Sequence, residues 1–304
     1  MYGQHSVPEE RNTAGPSVAT VGARRFCGGE RWIAIAGAAV LCALLGCTSP
    51  GQRVDAVARR LQFEPVQVLG EGFEHRAYVR PDVSTATAVH VYLEGDGLPW
   101  ATRDRVSSDP TPRYPLTLHL AAQDPVPSLL LGRPCYYGVA TTGPCRPWLW
   151  TSGRYSAEVV SSMVTALRRL LPMRPDLRIT LVGYSGGGAL SMLMAERLPR
   201  VERVVTIAAN LDIDAWADGH GFSRLDGSLN PAERERLPLR VRRVHLVGEL
   251  DAKVPADMVR NVAARDSGAE AWVLPGFDHR CCWVDQWPAI LDSLGLHDQD
   301  SIPL

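Results

Sequence analysis

Ser185 stands in GYSGG, Gly183 to Gly187, between an apolar run over Arg178 to Tyr184 and a helix-like run from Ala189 onward. A glycine costs a strand or helix interior roughly 0.5–1 kcal/mol relative to alanine, so Gly183, Gly186, Gly187 and Gly188 around one hydroxyl mark a place where backbones approach closely. The pattern G-x-S-x-G between strand and helix makes a sharp turn that exposes the serine as a nucleophile, and the helix amides behind it favour developing negative charge. A serine hydroxyl needs a base, and the base needs an orienting acid. Asp251, in LVGELDAKVP, and His279, in LPGFDH, each follow a strand-like run, so the chain order is Ser185, Asp251, His279. Two alternatives stand open for the acid: Asp251 could instead cap the helix beginning near Pro255, leaving Asp212 as its competitor. His220, in a long glycine-rich segment, is the rival base, while Asp278 is too near His279 in sequence to be the favoured orienter.

An acyl-transfer site also needs two N–H donors for the oxyanion. The amide of Gly186 directly follows the serine. The second donor is expected in the loop after VHVYL, which reads Glu94-Gly95-Asp96-Gly97 and places Asp96 in that role. Its carboxylate would oppose an oxyanion unless it turned away or met a cation, for which Arg103, Arg105 and Arg154 are candidates. The other reading is that Glu94 and Asp96 only shape the turn. A phosphate cradle is disfavoured, because neither G-K-[ST] nor a G-x-G-x-x-G fingerprint is present.

The elements that must position these groups follow from the apolar pattern. Strand-like runs cover 89–95, 136–141, 178–184, 203–209, 242–248 and 270–276, several apolar without a polar face, as buried parallel strands are. Helical patterns cover 156–172, 189–199, 256–266 and 286–295. The alternation predicts an α/β fold, a mostly parallel sheet flanked by helices. Two segments interrupt it: a proline-rich loop over 97–135, and a polar stretch over 210–240 that could form a small cap-like lid. Trp100, Trp148, Trp150, Trp216, Trp283 and Trp287 fall in or beside loops expected near the catalytic edge, where some could line an acyl pocket.

From about residue 64 to the C-terminus, GYSGG, GELDAKVP and GFDH make the chain resemble the α/β-hydrolases, and more narrowly exported bacterial lipoproteins of that fold. The resemblance implies an acyl-enzyme mechanism: attack by Ser185, proton transfer through His279, and an imidazolium stabilised by Asp251. The function expected is cleavage of a carboxylic ester or related acyl bond of small to medium size, with no metal or organic cofactor. An acyltransferase, a peptidase or a non-catalytic binding lipoprotein on the same scaffold are the other readings.

The chain of 304 residues is 45% hydrophobic and 21% charged with net charge −1, a balance that suggests neither nucleic acid nor a polybasic membrane patch as partner. Residues 1–46 read as a leader: Arg24, Arg25 and Arg31 precede an apolar run too short for a membrane-spanning helix of ~20 residues. Leu44-Leu45-Gly46-Cys47 resembles the lipobox of bacterial lipoproteins, which implies acylation of Cys47 and a lipid-anchored protein of the bacterial cell envelope that faces the periplasm or the exterior. Residues 47–63 then form a tether and 64–304 the hydrolase domain. With the leader removed, four cysteines remain; Cys135 and Cys145 are the preferred disulfide, and Cys281 and Cys282 could pair with each other, cross-link elsewhere or stay thiols. No cysteine or histidine spacing favours a metal site.

Overall fold

Strands β3 (Ala88–Leu93), β5 (Arg178–Tyr184), β6 (Val201–Ile207) and β7 (Arg242–Gly248) are buried along almost their whole length. This is why their sequences show continuous apolar runs instead of alternation. The computed structural model describes residues 48–140 and 143–296, and places these strands at the centre of an eight-stranded sheet of order β1-β2-β4-β3-β5-β6-β7-β8. All neighbouring strands are parallel except around β2 (Glu74–Val79), which runs antiparallel to both β1 (Glu64–Leu69) and β4 (Ser128–Leu131). The outer strands β1 and β8 (Ala269–Leu274) are only partly covered.

Helices flank the sheet: α1 (Pro50–Arg60), α2 (Leu116–Ala121), α3 (Ala157–Leu170), α4 (Gly186–Ala195), α5 (Ile213–His220), α6 (Ala256–Ala263) and α7 (Trp283–Leu294). Residues 47–63 were expected as a tether, but α1 occupies most of that segment. Ser49 caps it reciprocally with Gln52, Pro50 opens its first turn, and Val54 and Ala58 are buried in the main core. None of the helices among the described residues is long and apolar enough to cross a membrane. The expected leader, residues 1–46, and Cys47 lie outside the described residues.

Two expectations change. The run expected as a strand over 136–141 is a turn over its described residues, 136–140: Cys135, Tyr137 and Gly138 have φ of 69°, 60° and 93°, incompatible with extended pairing. The strand is the preceding Ser-Leu-Leu-Leu of β4, read above as part of a loop, whose four residues are all buried. Cys135 closes the turn through a disulfide to Cys145, with S–S 2.05 Å. Cys281 and Cys282 are bridged to each other. The other change is the β1–β2 hairpin, which the alternating reading did not separate.

Candidate active site

Ser185 leaves β5 with φ 51° and ψ −124°, a conformation that costs a non-glycine residue about 1–3 kcal/mol. The backbone fixes it on both sides: its N–H donates to Ile207 O at 2.8 Å, and its own carbonyl accepts from Gly188 N at 2.9 Å. The glycines make room. A Cβ on Gly183 would lie 2.3 Å from Gly187 O, and one on Gly187 would lie 2.1 Å from Leu93 O. β3, β5 and the start of α4 therefore touch backbone to backbone, and any side chain at these positions would push the elbow out of place.

His279 follows β8, and its Nδ1 lies 2.9 Å from Asp251 Oδ2 in the loop after β7. The other Asp251 oxygen, Oδ1, accepts from the amides of Lys253 at 2.8 Å and Val254 at 2.9 Å. Asp251 thus serves as a cap for the turn and as the partner of the imidazole at once, and the two readings of it are compatible. Asp212 is placed elsewhere: it caps α5, accepting from Ala215 N at 3.1 Å, and binds Asn230. The rival base His220 contacts the carbonyls of Trp216 and Ala252. Asp278 accepts from the amides of Arg280 and Cys281, which hold its carboxyl below the ordinary range.

Tyr184, next to the serine, ties the histidine to the elbow. Its ring centroid lies 5.3 Å from that of His279, and its hydroxyl donates to His279 O at 2.9 Å. Burial pushes the Tyr184 phenol well above its ordinary value, so it stays a donor. Among the described residues no hydrogen bond joins the Ser185 hydroxyl to His279. Such contacts are often long or misaligned before substrate binds.

The loop after β3 carries two carboxylates with different roles. Glu94 is buried and accepts from Gly95 N at 2.9 Å and from Thr117 N and Oγ1, both at 3.0 Å, so it anchors the loop to α2. Burial raises its pKa. Asp96 is clamped between two guanidinium groups, Arg133 Nη2 at 2.8 Å and Arg154 Nη1 at 2.9 Å, and the Tyr155 hydroxyl adds a bond of 2.7 Å. Burial alone would raise the Asp96 pKa, but the two cations outweigh it and hold the carboxyl at about 2. The Asp96 carboxylate is therefore an ionised, neutralised group turned toward the arginines. It packs directly beneath Gly186, where a Cβ would sit 2.0 Å from Asp96 Oδ1. Of the sequence candidates for its partner, Arg154 is brought to it, while Arg103 and Arg105 are exposed on the loop.

Sequence reasoning missed Arg133, Tyr136 and Tyr155. Arg133 is buried with its guanidinium near the rings of Tyr136 and Tyr155, at 5.7 and 5.5 Å, and its Nε and Nη1 have no hydrogen-bond partner among the described residues. The one available signal was an arginine directly following a fully apolar run, in SLLLGR. The tryptophans separate in the same way. Trp283 and Trp287 are core residues, donating to Asp278 O and Tyr92 OH, and Trp150 is buried against Ser107 O. Trp100 is exposed.

Residues 140–209, a span that includes Ser185, match the family model of lipase (class 3). No curated protein sequence matches the chain. Solved structures resemble it over most of its length. A bacterial membrane phospholipase A, described as a virulence factor, aligns with TM-score 0.55 and 14% identity over 87% of this chain and 98% of its own. The carboxylesterase CesB (YbfK) from Bacillus subtilis aligns with TM-score 0.53 and 12% identity over 84% and 100%. Est1E from Butyrivibrio proteoclasticus aligns with TM-score 0.50 and 11% identity over 76% and 97%.

Proposed function

The chain has the α/β-hydrolase fold, and from that premise we propose that it is a serine hydrolase cleaving a carboxylic ester or related acyl bond. The observation that carries the reading is the 2.9 Å contact of His279 Nδ1 with Asp251 Oδ2 beside a serine held on a strained, glycine-lined elbow. In this reading His279 keeps its Nδ1 proton in a hydrogen bond to Asp251 and takes the Ser185 proton on Nε2, becoming an imidazolium, as the oxygen attacks the acyl carbon. The same imidazolium then protonates the leaving alcohol, and water repeats the sequence on the acyl-enzyme. The amides of Gly186 and Asp96 supply the oxyanion donors. The Asp96 carboxylate does not oppose them, because Arg133 and Arg154 neutralise it. A fluorophosphonate probe tests this directly. Wild-type protein is expected to be labelled, and Ser185→Ala and His279→Ala to lose labelling; an unlabelled wild type would return the scaffold to a binding role.

We also propose that Cys47 carries a lipid anchor. Cys47→Ser is then expected to release the chain from the membrane fraction or leave an uncleaved precursor, and a normally processed, membrane-retained product refutes it.

A further inference from the structure

We propose that the sheet edge bearing Ser185 and His279 docks on a lipid surface. Resting on the hydrolase reading, this makes the substrate an acyl ester presented by a membrane and not a freely dissolved one.

The first observation is where apolar side chains are left in water. Six large ones are exposed among the described residues: Leu69, Trp100, Tyr114, Phe222, Leu239 and Leu250. Leu69 ends β1, Trp100 and Tyr114 lie in the loop after β3, Leu250 follows β7, and Phe222 stacks at 5.4 Å on His220, whose Nε2 lies 3.4 Å from Ala252 O in the loop after β7. Strands β1, β3, β6 and β7 all run in one direction, because β1 and β4 are both antiparallel to β2 and the remaining pairs are parallel. Five of the six therefore gather at the edge where β5 delivers Ser185, and only Leu239 precedes a strand. Single exposed apolar residues are ordinary, but a set collected on one edge marks an interaction surface. Arg103, Arg105 and Arg113 are exposed on the same loop as Trp100 and Tyr114, which puts cations beside aromatic rings as an interfacial surface requires.

The second observation is the route of the chain. Gly51, in the first turn of α1, packs so closely on the 137–138 turn that a Cβ would lie 2.5 Å from Tyr137 O. The neighbouring Tyr136 hydroxyl donates to Asp96 O at 2.9 Å, and Asp96 touches Gly186. Helix α1 thus begins at the edge of the site and only then descends to the start of β1. Exposed Thr48, one residue after the proposed lipidation site, belongs to that same edge. An acyl anchor joined there presents the apolar edge, and the serine with it, to the bilayer. An anchor alone tethers; the exposed side chains give the orientation.

The test uses the protein processed and acylated at Cys47, without residues 1–46 and their Trp32, reconstituted in vesicles of phosphatidylethanolamine and phosphatidylglycerol, with and without bromine on the acyl chains to quench nearby tryptophan. Emission is expected to fall in brominated vesicles, and Trp100→Phe to remove most of that fall. Equal emission in the two vesicles, or a fall undiminished by Trp100→Phe, overturns the proposal. So does unquenched emission accompanied by a dimer in sedimentation, which would assign the edge to a second copy. In the same vesicles, Trp100→Ser with Leu250→Ser is expected to cut turnover of a long-chain ester about tenfold while leaving a dissolved short-chain ester within about twofold; an equal fall on both overturns preferential action on membrane esters. A wild type that cleaves neither ester defeats the hydrolase reading, and the bromine arm still decides docking.

Discussion

Asp96 concentrates the electrostatics of the site in one side chain. Asp96→Asn leaves Arg133 and Arg154 in place without their anion, and removing one partner of a buried ion pair costs about 3–5 kcal/mol. A lowered urea midpoint at neutral pH is the expected outcome. In wild type the Asp96 contribution has a defined pH range. Its folded pKa of about 2 lies below the unfolded value of 3.8, so its stabilisation is complete above about pH 4 and is lost as pH falls toward 2. On the proposed triad, Asp251→Asn is expected to keep the fold and lower turnover by about 10⁴ through loss of the imidazole's anion, while Asp212→Asn is expected to leave turnover nearly unchanged. Initial rates on a chromogenic ester decide between the two acids. At this scale the elbow at GYSGG and the positions of Asp251 and His279 after their strands were legible, since each needs only a motif or a position after a strand. The partners of Asp96 were only half legible. Arg154 was one of three candidates, whereas Arg133 reaches Asp96 through the crossover that sets β4 beside β3, which no local pattern announces.

Among the elements, the contact between α4 and the sheet is the most exacting. Gly187→Ala would drive a methyl group against a main-chain carbonyl that cannot rotate away, so a loss of at least about 2 kcal/mol in unfolding free energy is expected from urea titration. The Cys135–Cys145 bridge, at a separation of 10, is expected to contribute about 3 kcal/mol. Comparing thermal midpoints of wild type and the Cys135→Ala, Cys145→Ala double variant measures it without disturbing Cys281 and Cys282. The central strands and helices α3, α4, α6 and α7 could be read from their periodicity, whereas α1, α2 and α5 were not. β4 could not, because four residues are too few to show one, and the tyrosine-rich run after it looked more strand-like than it is. The left-handed conformations at Cys135 and Tyr137 are imposed by the tertiary turn, against local preference.

For the molecule as a whole, two buried histidines set the acid limit. His75, between Gly132 O and Ser162, and His245, beside Thr206, both have pKa values lowered by burial to about 4 from 6.5. Between these values the unfolded chain binds protons that the folded chain refuses, so stability is full above about pH 6.5 and declines as pH falls toward 4. The slope is up to about 1.4 kcal/mol per pH unit for each histidine. Urea midpoints taken across that range should show the decline, and His75→Gln should reduce its slope.

The stretch 210–240 bears on how the site opens. Trp216 Nε1 donates to Lys253 O at 2.8 Å, and His220 Nε2 lies 3.4 Å from Ala252 O, so α5 is stitched to the loop that carries Asp251. A flap fastened in this way cannot swing outward without tugging the carboxylate that steadies the imidazole. For the proposed hydrolase, admission of a substrate and readiness to attack it would be mechanically opposed on that side.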